Sequence, residues 1–317
     1  MKRDRCKAIP AIKKQGIVLA AILIFLIFAI ISPQFRTMTN TLLILRQVST
    51  VGVMAAGMTF VIIGGNFDLS VGSLLSLCCV VCIGLQDKLG PVGAMAVTVV
   101  VGMVSGIASG LLVGYLKLNS MIVTLGMMNV LQAVALMVTK GRTVYMSDEK
   151  SWFTRIGMGS LAGIPISTII MAIFIILMAV ILMKSLYGHR IMSVGGNGEA
   201  CRYSGINDRK VILQSFILSG LSVGIGAILL SSRGASAQPT VGESYEFDVI
   251  TAVILGGASL SGGVGNIFKS FVGVLILGIL KNGFVMLGFQ YYVQWIAQCV
   301  VMLIAVWLDI RAKKGVA

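Results

Sequence analysis

Long apolar stretches follow one another along almost the whole chain, and they constrain its fold more than any other feature. Most approach or exceed the roughly 20 residues with which an α-helix crosses a bilayer, and short polar connections separate them. They cover residues 16–32, 42–63, 69–86, 91–116, 120–139, 165–184, 211–231, 248–261, 264–288 and 292–309. Backbone inside a bilayer must satisfy its own hydrogen bonds, which favours helices. The pattern predicts an all-α, polytopic membrane protein of about ten transmembrane helices, in which the short eighth stretch is a half-span or a re-entrant segment.

The composition excludes other classes of protein. Of 317 residues, 57% are hydrophobic and only 11% are charged, which is too apolar for a soluble core and too poor in charge for a disordered chain. No small-x-small cleavage pattern follows the first stretch, so we expect it to be retained as a helix. We expect one transmembrane domain over residues 16–310, with an N-terminal tail over 1–15 and a C-terminal tail over 311–317.

Lysine and arginine predict the orientation of the chain. The net charge is +14, but the basic residues lie mostly between and outside the apolar stretches, so topology and lipid contact explain them better than nucleic-acid binding does. With the N-terminus in the cytoplasm, the inner segments carry fifteen of them and the outer segments seven. This bias predicts that both termini are cytoplasmic.

Two segments resemble each other at an offset of 192 residues. Residues 59–65 read TFVIIGG and residues 251–257 read TAVILGG, and both continue into sequence rich in serine and glycine. The resemblance indicates duplicated halves around a central pathway, as in many transporters. Chance recurrence in a chain with 38 glycines is the alternative, and the sequence does not decide between a parallel and an inverted repeat.

An acidic residue lies between the second and third apolar stretches. Gly64 and Gly65 can interrupt a helix, and Asn66, Asp68 and Ser70 follow them. Because an acid near a membrane core is costly and is usually paired or functional, we consider these three polar residues candidates for a gate in a translocation pathway. The alternative is structural, since aspartate and serine are also good caps for the next helix.

Residues 185–210 form the longest polar connection on the predicted inner side. Residues 199–204 could form one or two helical turns, and an acid near their start, Glu199, favours a helix there. The flanking glycines allow a sharp entry and a sharp exit; they are Gly195, Gly196, Gly198 and Gly205. A short helix here would suit the docking of a soluble partner, and a solvated connector is the alternative.

Polar side chains also occur inside the apolar stretches. Candidates for the pathway are Asn119, Thr124, Asn129, Gln132, Gln294 and Gln298. Hydrogen bonding between helices is the alternative role for each. We expect Lys281 to snorkel or to pair with a group of a partner chain. Neither a metal-ligand pattern nor a phosphate-binding GxxxxGK[ST] motif is present in the sequence, so we expect no metal and no cofactor.

Three motifs together resemble the permeases of ribose-type ABC importers, over about residues 16–310. They are GGNFDLSVGS at 64–73, GHR to SGIN at 188–207, and VILGGASLSGGVG at 253–265. The resemblance implies a bacterial inner-membrane permease for a monosaccharide, with a second permease subunit, most simply an identical one. A separate ATPase and an extracytoplasmic sugar-binding protein would complete the importer. It further implies that the ATPase docks on Gly195, Gly196, Asn197, Glu199, Ala200 and Gly205.

Two other functions remain as alternatives. A self-contained secondary transporter of a small polar solute would need buried acids or histidines for ion coupling, and these are nearly absent. A membrane enzyme would need a cluster of acid, base or metal-binding residues, which the sequence lacks. Pentoses, hexoses and small polyols are all compatible substrates, and the sequence alone does not name the sugar.

Overall fold

The computed structural model describes residues 5–148 and 151–314, and helices dominate both segments. The helices are α1 (Arg5–Ile31), α2 (Met38–Ile63), α3 (Val71–Gly84), α4 (Gln86–Gly114), α5 (Ser120–Thr139), α6 (Thr154–Met158), α7 (Ile166–Lys184), α8 (Leu186–Tyr203), α9 (Asp208–Gly234), α10 (Tyr245–Leu255), α11 (Ile267–Met286) and α12 (Tyr291–Lys314). Four two-residue strands form two antiparallel pairs. In one pair β1 (Val144–Tyr145) joins β4 (Ser236–Ala237), and in the other β2 (Ser160–Leu161) joins β3 (Ile164–Pro165).

The predicted helical membrane protein is confirmed. Each of the ten apolar stretches overlaps mainly with one helix, and six helices (α2, α4, α5, α7, α9 and α11) are long and apolar enough to cross a membrane. Shorter apolar segments lie in α1, α3 and α12, and α10 has only 11 residues. Helix α1 begins at Arg5 rather than at residue 16, and α12 continues to Lys314. Residues 1–4 and 315–317 of the predicted tails lie outside the described residues.

Helix α2 lies at the centre of the bundle. It is the most buried of the six long helices, and α7, α9, α10 and α11 surround it. Helix α9 packs against α2, α3 and α4. The α4–α9 contact is close because glycines repeat every fourth residue along α4 and meet mainly the backbone of α9. Small residues at this spacing allow membrane helices to approach closely.

The chain interrupts its helices twice in the same way. Helix α2 ends at Ile63 and α10 ends at Leu255, and each is followed by a Gly-Gly pair. The second glycine of each pair, Gly65 or Gly257, has a positive φ, 74° and 83° respectively, which glycine adopts without strain. We name residues 64–70 the first break and residues 256–266 the second break. The two breaks lie together, since the Gly263 amide donates to the Ile63 carbonyl at 2.8 Å.

Candidate functional site

Asp68 organises the first break. Its side chain is buried, and its Oδ1 accepts hydrogen bonds from the amide of Ser70 at 3.1 Å and from the Ser70 hydroxyl at 2.5 Å. Its Oδ2 accepts from the Ser219 hydroxyl on α9 at 3.0 Å. Asn66 donates to the Gly64 carbonyl at 2.9 Å within the same break. The Asp68 side chain therefore joins the residue before α3 to α9. No side-chain hydrogen bond caps the start of α3, so the capping role that the sequence left open is not observed.

The first break also rests on the beginning of α5. The amide of Phe67 donates to the Ser120 hydroxyl at 3.2 Å, and the amide of Leu69 donates to the Thr124 hydroxyl at 3.1 Å. Asn119 caps α5, because its side chain accepts from the amides of the second and third helical residues. Two backbone N–H groups that the break leaves without a helical partner are thus satisfied by α5, so the two elements are held in register.

A polar cavity lies farther along α5. It has a volume of about 280 Å³, and we call it the α5 cavity; its lining is Ser73, Met128, Asn129, Gln132, Glu243, Ser244 and Glu246. Gln132 donates to the Pro239 carbonyl at 2.8 Å, and Ser76 accepts from the Gly242 amide at 2.8 Å. These bonds hold the segment before α10 against α3 and α5. A Cβ atom on Gly72 would collide with the Glu246 carboxylate, so that carboxylate lies directly against the α3 backbone.

The structure does not bring all the predicted gate and pathway residues together. Most of them lie in the first break, at the cap of α5 or along α5, namely Asn66, Asp68, Ser70, Asn119, Thr124, Asn129 and Gln132. The exceptions, Gln294 and Gln298, lie on α12. Gln294 lines a cavity of about 330 Å³ between α2, α10, α11 and α12. There Lys281 forms an ion pair with Asp248. The partner of Lys281 thus lies in this chain, whereas we expected the side chain to snorkel or to pair with a partner chain.

Helix α8 has two parts: the part after residue 197 matches the short helix predicted over residues 199–204, and the part before it was not predicted. It begins at Leu186, where Ser185 caps it by accepting from the Gly188 amide at 3.0 Å. Gly195 and Gly196 are helical, so they do not form the predicted sharp entry. The bend lies instead at Asn197, with φ −156° and ψ 91°, whose side chain accepts from the Ala200 amide at 2.9 Å. The predicted exit is confirmed, since Gly205 has a φ of 79°.

The inner face of α8 rests on both breaks. Ile191 and Val194 are buried, and the absence of a side chain at Gly195 lets the helix touch backbone. A Cβ atom there would collide with the Ile63 carbonyl oxygen and would lie 2.6 Å from the Gly263 nitrogen. A Cβ atom on the next residue, Gly196, would meet nothing within 4 Å. One residue of α8 thus contacts the end of α2 and the second break together.

The outer face of α8 is open. Asn197, Glu199 and Ala200 are exposed, and 87% of the surface of Tyr203 is accessible. An ion pair anchors the end of the helix, because Nε of Arg202 lies 3.1 Å from Oδ2 of Asp208 at the start of α9. Helix α8 therefore presents one face to the solvent and the other to the helix breaks.

The beginning of α8 is fixed by an aromatic contact. The ring of Tyr187 stacks on Phe60 of α2 with centroids 5.8 Å apart, and its hydroxyl donates to the Val211 carbonyl of α9. Burial raises the pKa of Tyr187 above its usual value, which keeps the hydroxyl neutral and able to donate. Helix α8 is therefore tied to α2 and α9 at one end and to α9 at the other.

Several residues of the site were missed from the sequence. Ser219 and Glu246 contribute to the first break and the α5 cavity, and Asp248 pairs with Lys281. The sequence could have identified the acids at 246 and 248 as candidates, because both lie at or just before the start of an apolar stretch. It could not have identified Ser219, since serine is common in membrane helices. Among the described residues no group of three or more His, Cys, Asp or Glu side chains is placed to hold a metal ion.

Comparison with known proteins gives one family. The family described as branched-chain amino acid transport system / permease component matches residues 40–306. The ribose import permease protein RbsC of Bacillus subtilis (strain 168) is 39% identical over 298 residues, covering 94% of this chain and 92% of the relative. RbsC of Escherichia coli (strain K12) is 37% identical over 302 residues, covering 93% of each. The L-arabinose transport system permease protein AraH of the same strain is 33% identical, covering 95% and 91%. No solved structure matches the chain.

Proposed function

Because the chain belongs to the branched-chain amino acid transport system / permease component family, we propose that it is the membrane permease subunit of an ABC importer for a ribose-like monosaccharide. One observation carries the proposal. Relatives named as ribose import permeases are 37–39% identical over more than nine-tenths of the chain. A relative named for L-arabinose at 33% identity supports a simple sugar as the substrate class.

The rest of the importer consists of other proteins. The sequence lacks the GxxxxGK[ST] motif that cradles nucleotide phosphates, so a separate ATPase subunit supplies the energy and this chain is not itself an enzyme. An extracytoplasmic binding protein delivers the sugar. The chain lies in the bacterial inner membrane with about ten membrane segments, of which α3 and α10 are short, and both termini face the cytoplasm.

Helix α8 transmits the movement of the ATPase. Its exposed residues, Asn197, Glu199 and Ala200, form the docking surface, and Gly205 allows the chain to turn back into α9. Gly195 rests on the end of α2 and on the second break, and Gly196 lies beside Gly263 of the second break. The docking residues lie at or after the bend at Asn197, and Gly195 lies just before it. Packed segments shift together, so a displacement that passes through the bend reaches the end of α2 and the second break at the same time.

The sugar passes along α5. Asn129 and Gln132 offer amide groups to sugar hydroxyls in the α5 cavity, and the first break closes the route toward α8. Asn66, Asp68 and Ser70 order this gate, and Asn119 fixes the start of α5 beside it. The α5 surface around Asn129 is exposed although it is mostly apolar. A second, identical permease subunit covers this face and completes the pathway.

Reconstitution tests the proposal directly. The chain, its ATPase and its binding protein are placed in vesicles, and uptake of radiolabelled D-ribose is measured with ATP inside or outside the vesicles. The proposal predicts uptake that requires ATP on the α8 side and requires all three proteins. Uptake by this chain alone, driven by a sodium or proton gradient, would instead identify a secondary transporter and contradict the proposal.

A further inference from the structure

The cavity that contains Gln294 has no role in the pathway described above. We call it the α12 cavity, and it lies between α2, α10, α11 and α12 with a volume of about 330 Å³. Arg233, in the last turn of α9, lines it. Since the first residue of α9 adjoins α8, the α12 cavity lies at the end of the bundle opposite to α8. Under the proposed orientation this is the side on which the binding protein delivers its sugar.

The lining of the α12 cavity is unusually polar for a membrane interior. Its polar and charged members are Gln47, Arg233, Tyr245, Asp248, Lys281, Asn282 and Gln294. Gln47 is exposed, although it lies on α2, whose apolar segment is the most buried among the six long helices. Polar side chains within membrane segments normally face water, a ligand or another chain, because lipid offers them no partner. The cavity is therefore built for polar contents.

The ion pair in the α12 cavity does not use all the hydrogen-bond donors of Lys281. Lys281 has three N–H donors, and one of them is directed to Oδ2 of Asp248. The Lys281 side chain is 36% exposed, so its remaining donors can reach a ligand in the cavity. The other carboxylate oxygen, Oδ1, is buried, and the Gln298 side chain lies near the carboxylate. A sugar hydroxyl in the cavity would therefore accept a hydrogen bond from Lys281 rather than donate one to Oδ1.

Apolar side chains form the rest of the wall. Val48, Val274 and Leu277 face the cavity beside Gly278. Small-ligand sites in proteins combine an apolar lining with a few convergent polar groups. A monosaccharide presents both surfaces, because its hydroxyls donate and accept hydrogen bonds while the C–H groups of its ring are apolar. A carboxylate, an ammonium group and amides around an apolar floor match that chemistry.

We propose that the α12 cavity is a monosaccharide-binding site within the permease itself, separate from the α5 cavity. This inference rests on the proposed function, which supplies the class of solute. The α12 cavity lies between the interior of the bundle and the side on which the binding protein delivers the sugar, so it is placed to accept the released sugar first. The first turn of α10 is the wall that the two cavities share, since Glu246 lines the α5 cavity whereas Tyr245 and Asp248 line the α12 cavity.

The test is direct binding without the binding protein. Radiolabelled D-ribose is equilibrated by dialysis with the purified permease–ATPase complex in detergent, for the wild type and for Gln294→Leu. We expect saturable binding by the wild type and an affinity about threefold to tenfold lower in the variant, the range for losing one hydrogen bond. The control is Gln214→Leu, because Gln214 lies outside the α12 cavity and borders a different pocket with Ile181 and Tyr187; its affinity should match the wild type.

A second variant probes the ion pair. Asp248→Asn combined with Lys281→Gln keeps two polar side chains and leaves no unpaired charge, and we expect it to lower the affinity more than Gln294→Leu does. Wild-type complex without saturable binding, or unchanged affinity in Gln294→Leu, would overturn the inference. Displacement of ribose by L-leucine as effective as by unlabelled ribose would also overturn it. Vesicle uptake measured in parallel separates the two proposals: uptake without permease binding refutes only this site, whereas no ATP-driven uptake by the wild type refutes the proposed function.

Discussion

At the scale of single residues, Asp68 shows how a buried carboxyl group is satisfied by hydrogen bonds inside the bundle. Three donors from two serines surround its oxygens, so the hydrogen-bonding capacity of the group is met inside the bundle. One of these donors comes from α9, 151 residues away in the sequence. The residue therefore holds the first break in place against a helix that also adjoins α8.

Replacement of Asp68 separates its charge from its shape. Asp68→Asn keeps an oxygen that can accept from the Ser70 amide, so we expect near-normal folding but uptake lowered several-fold, because the tie to Ser219 is weakened. Asp68→Leu leaves the buried donors without an acceptor and should lower the free energy of unfolding by about 1–3 kcal/mol. Vesicle uptake and thermal unfolding in detergent measure the two effects. Full uptake by Asp68→Asn would show that the carboxylate has no part in gating.

The sequence identified Asp68 and Ser70 but not Ser219. A Gly-Gly pair next to an acid between two apolar stretches can be recognised in the sequence itself, and it correctly located the first break. Ser219 cannot be recognised in this way, because its contact depends on how α9 packs against the break. The same reason explains why Gln294 was grouped with residues from which the fold separates it.

At the scale of helices, glycine has two opposite roles in this chain. In the breaks it ends helices through a positive φ, as at Gly65 and Gly257. In α4 and α8 it lies within helices and allows another backbone to approach. Local sequence does not distinguish the two roles, which is why Gly195 and Gly196 were predicted to bend the chain whereas α8 continues through them. Tertiary contact decides the outcome, since a helix interior tolerates glycine at a cost of about 1 kcal/mol.

The α4–α9 contact provides a test of the second role. A Cβ atom on Gly106 would collide with the Phe216 carbonyl of α9, whereas one on Gly84, at the end of α3, would meet nothing within 4 Å. We expect Gly106→Ala to lower the free energy of unfolding by about 1–3 kcal/mol through overpacking. Gly84→Ala should leave it unchanged or raise it by up to about 1 kcal/mol. Equal melting temperatures for the two variants in detergent would contradict this close packing.

At the scale of the whole molecule, the sequence predicted the helical membrane fold but not the contact of the two helix breaks with each other and with α8. The apolar stretches located nearly every long helix, because length and hydropathy are local properties. The meeting of the two breaks on α8 depends on a contact between Ile63 and Gly263, which lie 200 positions apart, and no periodicity indicates such a contact. Through it, one surface helix touches the end of α2 and the second break. The proposed coupling between the ATPase and the gate depends on that contact.

Two neighbouring glycines of α8 test the coupling most directly. Gly195→Ala places a methyl group against the Ile63 carbonyl and the Gly263 amide, whereas Gly196→Ala adds the same group where nothing lies within 4 Å. The measurement is sugar uptake per ATP hydrolysed in vesicles that contain the complete importer. We predict that Gly195→Ala lowers this ratio about tenfold, within the usual range of coupling free energies, while the ATPase still co-purifies and Gly196→Ala behaves as wild type. A wild-type ratio for Gly195→Ala, or an equal loss in both variants, would contradict transmission through this contact.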